Sequence, residues 1–283
     1  MKKLLLFFLL SVVTGSIYAQ TDSLAFTQAK WNTSRIKHGV KLKQCQFENN
    51  LFGSNQFISI LEIKNKNKQF SIGFEHKALR RTSDFAASAN ALAAINGTFF
   101  DVKNGGSADF IKVNGQIINE NKPYPLGQRA RHQQAALLIS NGKMSMAKWD
   151  GSANWEHNLP AENVMLTGPL LIYRDSAVLT DTAAFARYRN PRTAIALAKN
   201  KVLLITVDGR NEHAAGMSLY ELEKLSRWLH ASFAINLDGG GSTTMWVKGR
   251  GVVNHPSDNK KWDNQGERKV ANVILLTPEK TTK

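Results

Sequence analysis

The chain has 283 residues, with 37 Lys plus Arg against 22 Asp plus Glu, a formal net charge of +15 and a single cysteine. Hydrophobic residues make up 42% and charged residues 21%, which excludes a disordered chain and leaves ample length for a closed core. The lone Cys45 excludes an internal disulfide framework and any multi-cysteine zinc or iron–sulfur site, and the basic excess points to anionic partners without specifying a fold.

In chain order, residues 1–19 read as a signal peptide. Lys2 and Lys3 form a basic start, Leu4 to Val13 an apolar run, and Ser16 to Ala19 a small-residue cleavage region ahead of Gln20. The apolar run has about half of the roughly twenty residues needed to span a bilayer, so the expectation is export to the periplasm or cell exterior with no stable membrane insertion. Removal of two lysines lowers the charge to 35 − 22 = +13. Residues 20–34 read as a polar lead and residues 35–280 as one domain.

The body reads as strands punctuated by turns. Asn55 to Ile63 is β-branched and aromatic, and Gln69 to Phe74 alternates. Asn114-Gly115 and Asn141-Gly142 each separate two strand-like runs, the strongest short hairpin signal. Ala194 to Ala198 and Val202 to Val207 straddle a third turn, and Ala271 to Leu276 is a closing strand. Helical spacing predicts helices over Thr82 to Ala94 and Ser218 to Leu229, the second opened by a Ser218/Glu221 capping box. The predicted fold class is α+β: a single mixed domain, largely antiparallel sheet with helices packed on it.

Glycines and polar residues gather at the ends of apolar strands in four places: 93–101, 189–194, 203–210 and 234–244. In the last, an apolar strand presents Asn236 and Asp238, followed by Gly239, Gly240, Gly241, Ser242 and Thr243. Three glycines permit close backbone approach and an anion-binding concavity of N–H groups. It is neither a P-loop nor a dinucleotide fingerprint. Asp208 beside Arg210 reads as an ionised carboxylate suited to a nucleophile or base, and Arg192 and Arg189 as guanidinium forks for phosphate, with Arg189 more readily a solvated surface residue. The seven histidines show no metal-ligand spacing, and only His213 lies near a candidate segment. No serine sits in a nucleophile elbow.

Taken together, Asn96-Gly97-Thr98-Phe99-Phe100, Gly168-Pro169-Leu170-Leu171, Pro191-Arg192-Thr193-Ala194, Val207-Asp208-Gly209-Arg210 and Asn236 to Thr243, followed by Val253-Asn254, Gly266-Glu267-Arg268 and Val270-Ala271-Asn272, resemble the phosphodiester glycosidase family over roughly residues 90–276. The resemblance implies hydrolysis of a sugar-1-phosphodiester at the anomeric carbon, giving free sugar and a phosphomonoester, in one cleft. N-acetylglucosamine is one candidate sugar, which the resemblance does not fix. One departure is the stretch 211–217 after Asp208-Gly209-Arg210, which lacks the family's Gly-rich approach and puts the substrate rim in doubt.

On this reading Asp238 and Asp208 are the catalytic pair. Arg192, Arg210 and the backbone from Gly239 to Ser242 stabilise the departing phosphate, with Arg268 in reserve. Asn96, Thr98, Asn236 and Thr243 join the substrate site, Phe99, Phe100 or Trp246 packs on the sugar, and Asp101 is a reserve carboxylate. No cofactor is expected, although a divalent metal stays open. The alternatives are a metal-dependent phosphodiesterase using Asp208 and Asp238, or a non-catalytic protein binding anionic polysaccharide. Nucleic acid is not an expected partner, since only charge suggests it; oligomeric state is left open.

Overall fold

Antiparallel pairing accounts for every strand contact among the described residues, 21–65, 69–122 and 128–278, of a computed structural model of the chain. The signal-peptide reading over 1–19 lies outside them. Three sheets of eight, five and five strands form. In spatial order the first contains Asn32–Lys37, Val40–Leu51, Ser54–Lys64, Lys201–Val207, Arg192–Ala198, Phe233–Asn236, Leu170–Tyr173 and Ser176–Ala177. The second runs Gln116–Asn119, Ile111–Val113, Asn163–Leu166, Ala135–Ser140, Lys143–Lys148. The third runs Gly251–Val252, Met245–Val247, Ala93–Asn96, Asn272–Thr277, Gln69–Phe74.

The two-residue strand period explains how the layers stack. Ile195, Leu204, Ile235 and Leu61 point from the first sheet into a central core shared with Ile95, Ile274, Leu137 and Ile139 of the other two sheets. Their neighbours Ala194, Ala196, Ile205 and Ala234 face the opposite way and meet Leu219, Leu222 and Leu225 of the helix Leu219–Trp228. That helix is capped as expected. The Ser218 hydroxyl accepts the Glu221 N–H, and the Glu221 carboxylate accepts the Ser218 N–H at 2.8 Å while also pairing with Arg189. Both Asn-Gly hairpins form with positive φ at Asn114, Gly115, Asn141 and Gly142, the conformation that a two-residue type I′ turn requires.

Two expectations change. The helix predicted over Thr82 to Ala94 stops at Ser88, Asn90 takes φ 46°, and Ala93–Asn96 becomes a strand between Met245–Val247 and Asn272–Thr277. Alanine's helix preference is weak beside two ladders of backbone hydrogen bonds and burial on both faces. The segment 20–34 also does more than lead in. Residues 21–27 are helical, and Phe26 and Trp31 pack against Phe47, with Trp228 on the far side of Phe26. Cys45 is buried, and burial raises its thiol pKa, which disfavours the reactive thiolate.

Candidate active site

Four sequence segments converge at one end of the first sheet, where it meets the third. Asp238 follows the strand Phe233–Asn236. Its N–H donates to the Gly97 carbonyl at 3.0 Å, and its own carbonyl accepts from Asn96 Nδ2 at 2.7 Å. Asn96 Oδ1 in turn accepts from Thr193 Oγ1 and the Thr244 N–H, and Gly240 N–H donates to the Pro191 carbonyl. The loop carrying Asp238 is thus tied to the first and second candidate segments by direct hydrogen bonds.

Asp238 is half-buried, with one oxygen accepting the Gly239 N–H at 2.9 Å. Desolvation pushes its carboxyl up to about 6. The Ser242 hydroxyl, the Gly239 N–H and the charges of Arg268 and Arg210 pull in the other direction. A carboxyl so poised, beside two guanidinium groups, has the character of a reacting group. Arg210 is exposed, donates to Asn190 Oδ1 and lies against Gly240. Arg268 pairs with Asp258 over the backbone of Gly241, where a Cβ would fall 2.2 Å from Asp258 Oδ1 and 2.5 Å from Arg268 Nη2. Glycine at 241 is therefore a requirement of that close approach. Around the loop, Thr98 Oγ1, Ser242 Oγ, Thr244 Oγ1 and Asn236 Oδ1 are buried without hydrogen-bond partners within the protein.

Several sequence expectations are corrected by burial. Arg192 is 1% exposed. Its guanidinium donates to the carbonyls of Met217, Phe185 and Tyr188 and lies under the Phe185 ring at 4.8 Å. It fastens the loops beside the site instead of meeting a phosphate. Asn96 and Asn236 are fully buried and spend their amides on backbone carbonyls, so neither reaches a sugar. The N–H groups of Gly239, Gly240 and Ser242 are likewise donated within the protein, which removes three of the four positions of the expected anion cradle. Thr243 is buried, bonded to Thr193 through its hydroxyl and to Asn254 through its carbonyl. Phe100 and Trp246 pack against the core beneath the helix Thr82–Ser88. Asp101 closes a local turn, where Lys122 first, then Asn104, holds its carboxyl well below the usual range.

Asp208 changes role most. It is 1% exposed. Its Oδ1 accepts from Asn254 Nδ2 at 2.9 Å, and its Oδ2 accepts the His255 N–H at 2.8 Å and stands 2.8 Å from His255 Nδ1. Burial raises its carboxyl pKa, opposed by the bonds from His255 and Asn254. A carboxylate so enclosed orients an imidazole and has no access to substrate. His255 stacks on Trp262 at 3.8 Å and lines an open cleft of about 590 Å³ with Gln44, Gln46, Arg250 and Asn264. His213, the one histidine near a candidate segment in sequence, lies half out in solvent on Trp262.

A second acid–imidazole pair escaped the sequence reading. Buried Asp109 accepts from Gln133 Nε2 at 2.9 Å and lies 3.3 Å from His132 Nε2. His132 lines a cavity of about 480 Å³ with Phe99, Arg131, Gly168, Pro169, Asp181 and Phe185. No sequence signal marked Asp109, since an acid next to the strand Ile111–Val113 is as readily exposed as buried. No group of three or more His, Cys, Asp or Glu side chains assembles among the described residues, and no helix among them is long and apolar enough to cross a membrane.

A family model described as phosphodiester glycosidase matches residues 89–277, which contain every corner of this site. The chain belongs to the phosphodiester glycosidase family. Two curated relatives, the N-acetylglucosamine-1-phosphodiester alpha-N-acetylglucosaminidases of Mus musculus and Bos taurus, are 26% identical over 216 residues and 35% identical over 225. Each match covers 72% of this phosphodiester glycosidase chain and 41% or 40% of the relative, so the chain spans about two fifths of their length. Among solved structures, the zebrafish N-acetylglucosamine-1-phosphodiester alpha-N-acetylglucosaminidase catalytic domain, auto-inhibited by its pro-peptide, aligns with TM-score 0.67 at 20% identity over 88% of each chain. A hypothetical protein from Synechocystis aligns with TM-score 0.64 at 16% identity over 87% of this chain and 63% of that one. These likenesses show that the α+β fold is shared.

Proposed function

We propose that the protein hydrolyses a glycosyl phosphodiester at the anomeric carbon, with Asp238 as the reacting carboxylate. The observation that carries the reading is Asp238 itself: a half-buried carboxyl held near 6, with Arg210 and Arg268 as the nearby charges acting on it. Breaking the bond from the anomeric carbon to the phosphate oxygen builds positive charge on the sugar, which an adjacent carboxylate stabilises. The electron pair leaves with the bridging oxygen onto the phosphate, whose growing negative charge is met by the two guanidinium groups. Water supplies the oxygen that ends on the sugar, and its proton passes through the carboxylate to solvent. A phosphomonoester is already a good leaving group, so no strong general acid is required.

The reading of Asp208 and Asp238 as joint metal ligands is less well supported, because both Asp208 oxygens are occupied by His255 and Asn254. The relatives' names make an N-acetylglucosamine-1-phosphodiester the first substrate to test. A signal-like reading of residues 1–19 favours a reaction outside the cytoplasm, and residues 35–280 are proposed as the catalytic domain.

The test is a panel of sugar-1-phosphate diesters incubated with purified protein, with and without chelator, scored for released sugar. Arg210→Ala is expected to lower kcat/KM about 100-fold on the best substrate, with melting temperature little changed because the side chain is exposed. Release of an intact sugar phosphate in place of free sugar would overturn the reading.

A further inference from the structure

The cavity of about 480 Å³ lined by Phe99, His132 and Phe185 is not explained by the carboxylate and arginines alone. Its volume lies within the roughly 300–1,000 Å³ of ordinary small-ligand sites. Three of its walls are fastened to the Asp238 loop. Phe99 lies two residues beyond Gly97, whose carbonyl takes the Asp238 N–H. Gly168 and Pro169 lie against the preceding strand, their carbonyls accepting from Asn236 Nδ2 at 3.0 Å and the Asn236 N–H at 3.1 Å. Phe185 is carried over Arg192, which donates to its carbonyl, and a Cβ on Gly239 would lie 3.7 Å from the Arg192 Cα. The walls of the cavity are therefore tied to the segments that carry the reacting carboxylate.

Its lining combines two kinds of group. Phe185 is 42% exposed, one of five large hydrophobic residues left exposed among the described residues, and its ring centroid stands 6.1 Å from that of Phe99 at 65°. The exposed ring is held by the buried guanidinium beneath it, so its outward position is built into the packing. Opposite are polar groups in fixed poses. His132 packs on Phe99 at 4.9 Å and lies 3.3 Å from buried Asp109. Asp181, itself buried, pairs with Arg131 and accepts the Ala183 N–H at 2.8 Å. A pyranose ring has apolar C–H faces and a rim of hydroxyls. Aromatic walls with an imidazole and a carboxylate at the edge match that division.

We infer that this cavity is the glycosyl subsite: Phe99 and Phe185, in edge contact with each other, form one apolar wall against a face of the sugar ring, and His132 and Asp181 take its hydroxyls. The phosphate then lies towards Arg210 and Arg268. The inference rests on the glycosidase reading, and it adds residues that set which sugar is accepted. Phe185 acts here by binding, and His132 and Asp181 by recognition; none is assigned a proton-transfer step.

The experiment pairs kinetics with binding of a phosphate-free probe, the methyl glycoside of the best sugar, followed by saturation-transfer NMR. Phe185→Ala is expected to abolish the methyl glycoside signal and to raise KM about tenfold, leaving kcat within about twofold. Phe185→Tyr is expected to restore both. Circular dichroism and melting temperature confirm that the variants fold. Methyl glycoside binding unchanged in Phe185→Ala would overturn the subsite. Absence of turnover on every phosphodiester would defeat the glycosidase reading by itself. In that event, sugar binding lost in Phe185→Ala and regained in Phe185→Tyr would still place the sugar in this cavity.

Discussion

Asp238→Asn is expected to lower turnover by at least about three orders of magnitude while making the protein more stable at neutral pH. Both halves follow from one cause. The wild-type carboxyl is held near 6 against an ordinary 3.8, because burial disfavours its ionised form more than the Gly239 N–H and two arginines favour it. A folded-state pKa above the unfolded value contributes stability below the unfolded pKa, and that contribution is lost as pH rises through about 6. Ionising Asp238 in the native state therefore costs the fold about 2 kcal/mol at pH 7, allowing for its partial exposure. An amide of the same shape still accepts the Gly239 N–H and carries no charge to desolvate. The variant's advantage in melting temperature should be near zero at pH 4 and complete above pH 7. Wild-type kcat/KM should rise with pH around 6 as the carboxylate forms. Thermal melts across that pH range check the first statement and a pH–rate profile the second. A variant less stable than wild type at pH 7, or one with near-normal turnover, contradicts the role given to Asp238.

Asp208→Asn should fail differently, by loss of structure around His255. The native carboxylate accepts from Asn254 Nδ2 and the His255 N–H and faces His255 Nδ1 in a site closed to water. An asparagine there turns an amide donor towards groups that are themselves donors, or leaves one of them unpaired. Removing one partner from such a buried arrangement costs about 3 kcal/mol, expected to appear as a fall of roughly 6–12 °C in melting temperature. Activity should fall in parallel, since Asn254 also holds the Thr243 carbonyl and the Met245 N–H at the end of the Gly-rich loop. Tm and circular dichroism measured beside Asp238→Asn separate the two. If Asp208→Asn keeps wild-type stability and loses only turnover, Asp208 belongs with the reacting groups after all.

The sequence carried the local parts of this structure well. Asn114-Gly115 and Asn141-Gly142 specify their hairpins because the required positive φ is a property of the dipeptide, and Ser218 with Glu221 specifies a helix start for the same local reason. The helix over Thr82 to Ala94 was too long because Ala93 to Asn96 is decided by strands 150 and more residues away in the chain. At the site, residue type indicated chemistry but not accessibility. Arg192 and Asn96 have the right groups for phosphate and sugar, yet tertiary packing spends those groups on carbonyls and neighbouring loops. The Asp208–His255 and Asp109–His132 pairs join residues 47 and 23 positions apart with no periodic signal between them. Phe185 is legible only once Arg192 is seen beneath it. Asp238 and Arg210 stand out as candidates in the sequence because motif and position coincide at the end of an apolar strand.

The central claim is which bond breaks. Hydrolysis of the best sugar-1-phosphodiester in water enriched in oxygen-18, with both products analysed by mass spectrometry, reads it directly. The label is expected in the released sugar and absent from the phosphomonoester. Label in the phosphate, with the sugar unlabelled, would mean attack at phosphorus and would contradict the account.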